Sequence, residues 1–192
     1  MKIKAGIVGA AGFAGAELTR LLLGHPSFEL CAITSDALAG RALAEVYPAF
    51  AGASDLVFSK HDQNALADLD VAFLAVPHTA SLAMTPDLIA AGTTVIDLSA
   101  DYRLKDPAIY EKWYKVAHTS TDLLAKAAFG LPELTGDELA SAATRRAAGE
   151  AVLVACAGCY PTATSLAAAP FLRAGLVEEG ATVIVDALSG IT

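Results

Sequence analysis

The chain is poor in cysteine, in charge and above all in positive charge. Its 192 residues hold three cysteines, Cys31, Cys156 and Cys159. An odd number without framework spacing speaks against a secreted disulfide scaffold. Cys156 and Cys159 form a C-x-x-C pair, but there is no second pair to complete a zinc site. Lys and Arg number 13 against 21 Asp and Glu, a net charge of −8, which leaves no basic footprint for duplex nucleic acid. A signal peptide is not expected either, since Met1 to Lys4 leads directly into the apolar, glycine-rich Ala5-Gly6-Ile7-Val8-Gly9. The uncharged run 151–172 is long enough to raise a membrane span. Gly158, Pro161 and Pro170 punctuate it, and a strand, turn and helix account for it better. The expectation is a cytoplasmic protein with neither a nucleic-acid nor a membrane partner.

What the chain does have is apolar material, 55% of its residues against 18% charged, ample for a core. Short apolar runs alternate with helical periodicity. Strands are predicted over 4–9, 28–34, 56–58, 71–76, 94–98, 152–155 and 182–187. Helices are predicted over 12–23, 63–69, 81–91, 137–148 and 161–173. Such alternation means an α/β, doubly wound, Rossmann-like parallel sheet, because parallel strands need crossovers that cover both faces. The pattern breaks between Ser99 and Gly136, where Tyr102, Tyr110, Trp113 and Tyr114 suggest a packed loop.

Gly9-Ala10-Ala11-Gly12-Phe13-Ala14-Gly15 joins the first strand to the first helix as G-x-x-G-x-x-G. Glycines at such a turn allow positive φ and let backbone N–H groups approach a pyrophosphate, beside the positive end of the helix. The turn residues Gly9, Ala11, Gly12, Phe13, Ala14 and Gly15 are therefore candidate cofactor contacts, with Pro77 at the end of a neighbouring strand. The second strand ends Thr34-Ser35-Asp36. Ser35 and Arg41 could accept a 2′-phosphate, whereas an inward Asp36 would repel one, so the reading leans to NADP(H) over NAD.

Cys159 lies in Val154-Ala155-Cys156-Ala157-Gly158-Cys159-Tyr160-Pro161, after a strand and before a helix. A sulfur capping that helix faces N–H groups and a dipole that favour an anion, which is how an activated thiol nucleophile is built. Beside a nicotinamide it suggests aldehyde–acyl chemistry through a thioester. A buried small hydrophobe is the plain alternative. Arg103 follows another strand end and could grip a phosphate, or sit in a surface salt bridge. Of the four histidines, His25 suits a helix end, His61 and His118 fall in polar loops, and His78 follows Val76-Pro77 at a strand end. None is placed as a general acid.

Several of these stretches together resemble the N-acetyl-gamma-glutamyl-phosphate reductase family of arginine biosynthesis, within the aspartate-semialdehyde-dehydrogenase-like group. They are Gly9 to Leu18, Asp70 to His78, Val95-Ile96-Asp97-Leu98-Ser99-Ala100-Asp101-Tyr102-Arg103-Leu104, Tyr110 to Tyr114, Gly130 to Leu134 and Gly158 to Ala163. The resemblance implies NADPH-dependent reduction of an acyl phosphate to a semialdehyde with release of phosphate. It implies Cys159 as the catalytic nucleophile, Arg103 as a contact to the substrate phosphate, and a homo-oligomer when full length. Aspartyl or aminoadipyl phosphate are alternative substrates, and a non-catalytic dinucleotide-binding module is the alternative class. The chain departs from the family at Cys156-Ala157 where Asn-Pro is usual, at Asp36 where a basic residue is common, and at Thr79 where glycine is usual. It also ends before the family's acid/base histidine. The expectation is an N-terminal fragment, residues 1–155 forming the nucleotide domain and 156–192 opening a truncated α+β catalytic and substrate domain.

Overall fold

The computed structural model describes residues 2–62, 66–188 and 190. The apolar run Ile3–Val8 forms β1 and leads through the glycine turn into helix α1, Phe13–Leu23. Strand β2 is Phe28–Thr34, and a short helix α2, Leu43–Val46, follows it. Strand β3 (Val71–Leu74), helix α3 (Ala80–Ala90) and strand β4 (Thr94–Asp97) repeat the alternation. The tyrosine-rich stretch then folds as α4 (Pro107–Tyr114) and α5 (Thr121–Lys126) before strand β5 (Ala128–Gly130). Helix α6 (Pro132–Ala147), strand β6 (Leu153–Cys156) and helix α7 (Cys159–Arg173) complete the ordered elements.

Six strands form one sheet in the order β2-β1-β3-β4-β6-β5, every adjacent pair parallel. The chain leaves β1 in one direction to β2 and in the other to β3, which puts the topological switch point at the carboxyl ends of β1 and β3. Alternation along each strand feeds two cores. Ile7, Ile33, Leu43 and Phe58 pack on one face, and Val8, Leu74, Val95, Leu153, Tyr102 and Tyr110 on the other. The doubly wound expectation holds.

Several local expectations change. Leu56 to Phe58 makes a single isolated bridge, Val57 with Ala42, and the next residue, Ser59, bridges Thr34. The helix predicted over 63–69 lies partly outside the described residues, and 66–68 are a turn. No strand forms over 182–187: Val183, Ile184 and Val185 are exposed, Ile184 at 88%. The β-branched run has strand propensity, but among the described residues no neighbouring backbone offers it a ladder. Helix α7 has no buried residue, and Phe171, Leu172 and Leu176 are exposed. No helix among the described residues is long and apolar enough to cross a membrane.

Candidate active site

Because all strands are parallel, their carboxyl ends lie along one edge of the sheet. That edge gathers the glycine turn after β1, Ser35 after β2, Pro77 after β3, Arg103 after β4 and Cys159 after β6. From β1 to β6 is three strand spacings, about 14 Å.

The glycine turn is built tightly. Gly9 has φ +81°, and a Cβ there would sit 2.4 Å from the Ala75 carbonyl oxygen, so only glycine lets β1 turn against the end of β3. The Gly9 and Ala10 N–H groups both donate to the Thr34 carbonyl, at 3.1 and 3.0 Å. Tyr47, which the sequence gave no reason to single out, donates its hydroxyl to the Ala11 carbonyl at 2.6 Å. Gly12 is the N-cap of α1 with no side-chain cap. The first helical bond runs from Ala16 N–H to the Gly12 carbonyl, so the amides of Phe13, Ala14 and Gly15 have no intrahelical acceptor. Nothing but backbone stands over Gly12, whose Cβ would meet only the Gly9 oxygen at 3.8 Å. Open amides at a bare helix start form a cradle for a pyrophosphate, and the residues present fit a dinucleotide.

At the β2 end, Ser35 is buried and its N–H donates to the Ser59 carbonyl at 2.8 Å. Arg41 is exposed and pairs loosely with Glu45 at 3.8 Å. Asp36 accepts the His61 N–H at 2.9 Å.

The β4 and β6 ends are tied together by Arg103. Its Nε donates to the Cys156 carbonyl at 2.7 Å and its Nη2 to the Leu98 carbonyl at 2.6 Å. A Cβ on Gly158 would stand 3.0 Å from Nη1. Among the described residues no carboxylate forms an ion pair with Arg103. The surface salt bridge is therefore replaced by a bracket that holds the approach to α7. Gly158, not Cys159, is the N-cap; Cys159 is the first helical residue and is exposed. The second thiol is different. Burial, with the Asp97 carboxylate nearby, pushes Cys156 up to about 11, so it stays protonated at neutral pH. Asp97 is itself fully buried and its carboxyl is raised by desolvation, although the Ser99 N–H and hydroxyl both donate to it at 2.9 Å.

Between these ends lies fully buried Asp101. It accepts from Thr79 N–H at 2.8 Å, Leu82 N–H at 3.2 Å and the Tyr110 hydroxyl at 2.8 Å. It thus caps α3 and fastens the loop after β3 to the loop bearing Arg103. His118 is not in an open polar loop: it is 7% exposed, Nε2 lies 3.0 Å from the Asp101 carbonyl, and its ring meets Tyr102 and Tyr110 edge-on. Its role is packing. His78 is exposed with its ring 6.0 Å from that of Tyr114. Thr79 has φ +72°, a left-handed region strained for a β-branched residue. Thr79→Gly is expected to raise the unfolding free energy by about 1 kcal/mol in chemical denaturation. No gain would contradict the strain. No group of three metal-ligand side chains occurs among the described residues.

Comparison with known proteins follows the same outline. The family described as semialdehyde dehydrogenase, NAD binding domain, matches residues 4–142. N-acetyl-gamma-glutamyl-phosphate reductase of Dehalococcoides mccartyi is 44% identical over 100% of this chain and 52% of its own length. The enzyme of that name from Symbiobacterium thermophilum is 45% identical over 100% of this chain and 52% of its own. The chain thus spans about half the length of these relatives. Among solved structures, aspartate semialdehyde dehydrogenase II from Vibrio cholerae aligns with a TM-score of 0.64 at 15% identity, over 91% of this chain and 47% of that one. Aspartate semialdehyde dehydrogenase with NADP from Candida albicans gives 0.61 at 18% identity, over 89% and 48%. Those two likenesses concern the fold. The match over 4–142, on a sheet whose switch point carries the open glycine turn, places the chain in the semialdehyde dehydrogenase family, as its NAD-binding domain.

Proposed function

We propose that this chain is the nucleotide-binding and thiol-bearing part of an N-acetyl-gamma-glutamyl-phosphate reductase that uses NADPH. The observation that carries the reading is the placement of an exposed cysteine at the start of α7 on the edge that holds the glycine turn. In this reading the amides of Phe13, Ala14 and Gly15 hold the pyrophosphate, Gly9, Ala11 and Gly12 leave room for it, and Pro77 lines the crevice wall. Ser35 and Arg41 face the adenosine end. When bound, a nicotinamide nucleotide would supply hydride to the acyl carbon once that carbon is held as a thioester, the C–S bond breaking to return the sulfur as thiolate.

The Cys159 thiolate attacks the acyl carbonyl carbon. A C–S bond forms, the C–O bond to phosphorus breaks, and phosphate leaves, giving a thioester. Arg103 keeps the loop in place through Nε and Nη2, and its Nη1, over Gly158, is the group available to the departing phosphate. Residues from 156 onward begin the catalytic and substrate portion, and the exposed apolar side chains of α7 suit burial in a larger, homo-oligomeric, cytoplasmic enzyme.

Incubation with N-acetyl-gamma-glutamyl phosphate is expected to add one acyl mass at Cys159, removed by hydroxylamine and absent in Cys159→Ser. Preferential labelling by aspartyl or aminoadipyl phosphate would overturn the substrate, and labelling of the serine variant would overturn the nucleophile.

A further inference from the structure

The carboxyl end of β2 is closed by a clamp of three side chains. Thr34 is fully buried, and its hydroxyl lies 2.5 Å from His61 Nδ1. The His61 N–H donates to Asp36 Oδ1 at 2.9 Å. Through its carbonyl the same Thr34 receives the Gly9 and Ala10 amides. One residue therefore anchors the glycine turn by its backbone and the His61 ring by its side chain.

Asp36 stands where dinucleotide sheets place the acid that takes a ribose 2′-hydroxyl, and a free carboxylate there repels a 2′-phosphate. Here one of its oxygens is engaged by the His61 amide. When the Thr34 hydroxyl donates to Nδ1, the ring hydrogen sits on Nε2, a donor suited to a phosphate oxygen. Buried Ser35 adjoins Thr34, and Lys60 adjoins His61. Arg41, only loosely held by Glu45, completes a donor-rich strand end.

We infer that His61 decides nucleotide choice at this site, restraining Asp36 with its amide and offering its ring to the 2′-phosphate, so that NADPH is accepted where an unrestrained Asp36 would select NADH. The inference rests on the dinucleotide site proposed above.

The test is calorimetric titration of the chain with NADPH and with NADH. The wild type is expected to bind NADPH at least about tenfold more tightly. His61→Ala is expected to lose about tenfold or more for NADPH while NADH is unchanged or improved. Thr34→Val, which removes the ring's anchor but keeps the ring, is expected to shift the ratio the same way by less. Circular dichroism reports whether each variant is folded, and Thr34→Val carries the test if His61→Ala is not. A folded variant with the wild-type ratio overturns the role of His61 and leaves the dinucleotide site standing. Equal binding of both nucleotides by the wild type does the same, and binding of neither overturns both.

Discussion

Gly15→Ala is expected to cost about 3 kcal/mol of stability and to abolish nucleotide binding. A Cβ at this position would stand 2.5 Å from Ala10 Cα and 2.6 Å from the Gly9 carbonyl oxygen. Both are backbone atoms of the turn itself, so no side chain can swing away to relieve the contact. Helix α1 would have to lift from β1, moving the amides of Phe13, Ala14 and Gly15 together. Gly12→Ala is the control, because a Cβ there has its nearest contact at 3.8 Å. It should fold normally and lose affinity only through crowding of the ligand. Urea unfolding and nucleotide titration of the two variants separate the effects. Equal stability in both would show that close packing of the turn is not what Gly15 provides.

Asp101→Ala is expected to destabilise the chain by about 3–5 kcal/mol, because it leaves several donors, two of them on buried residues, without acceptors. Leu82 N–H and the Tyr110 hydroxyl lie inside the protein, and Thr79 N–H belongs to a residue at φ +72° that this bond helps to hold. Tyr110 stacks on Tyr114 with ring centroids 4.8 Å apart, so loosening one hydroxyl loosens the whole aromatic layer above α3. Asp101→Asn keeps an acceptor oxygen of the same reach and is expected to lose less than half as much. Denaturation midpoints measure the first effect, and near-ultraviolet dichroism of the tyrosines the second. A loss below about 1 kcal/mol for the alanine variant would contradict the hub.

The supersecondary frame was legible because its signals are long or unambiguous. Ile3 to Gly15 carries an apolar strand, a glycine turn and the start of a helix in succession, and Val71 to Pro77 is a continuous apolar run closed by proline. Strand β5 was not legible: Ala128-Phe129-Gly130 is too short to show a period, and it forms because β6 offers it a parallel edge. The opposite error at Thr182 to Ala187 has the same root, since propensity there exists without a partner. Helices α4 and α5 hid in a stretch read as a packed loop. The packing holds for Tyr102 and Tyr110, which are fully buried, whereas Trp113 is 70% exposed.

At the site, the sequence pointed to the glycine turn and to Cys159 by their positions at strand ends. It could not show that Arg103 spends two of its nitrogens on backbone carbonyls, because hydrogen bonds to a main chain leave no mark on the partner's identity. For the same reason Tyr47 gave no signal, and the Thr34–His61 pair joins residues 27 apart that no sequence pattern links. The distinction between Cys156 and Cys159 also waited for the fold. Three residues of chain separate Cys156, at the end of a covered strand beside Asp97, from Cys159 on an open helix start.

The central claim is that Cys159 and the dinucleotide share one crevice. It is tested by the rate at which iodoacetamide alkylates Cys159 at pH 7 in a Cys31→Ser, Cys156→Ser background, with and without saturating NADPH. The account predicts strong protection of Cys159 by NADPH. An alkylation rate that the bound nucleotide leaves unchanged would contradict it.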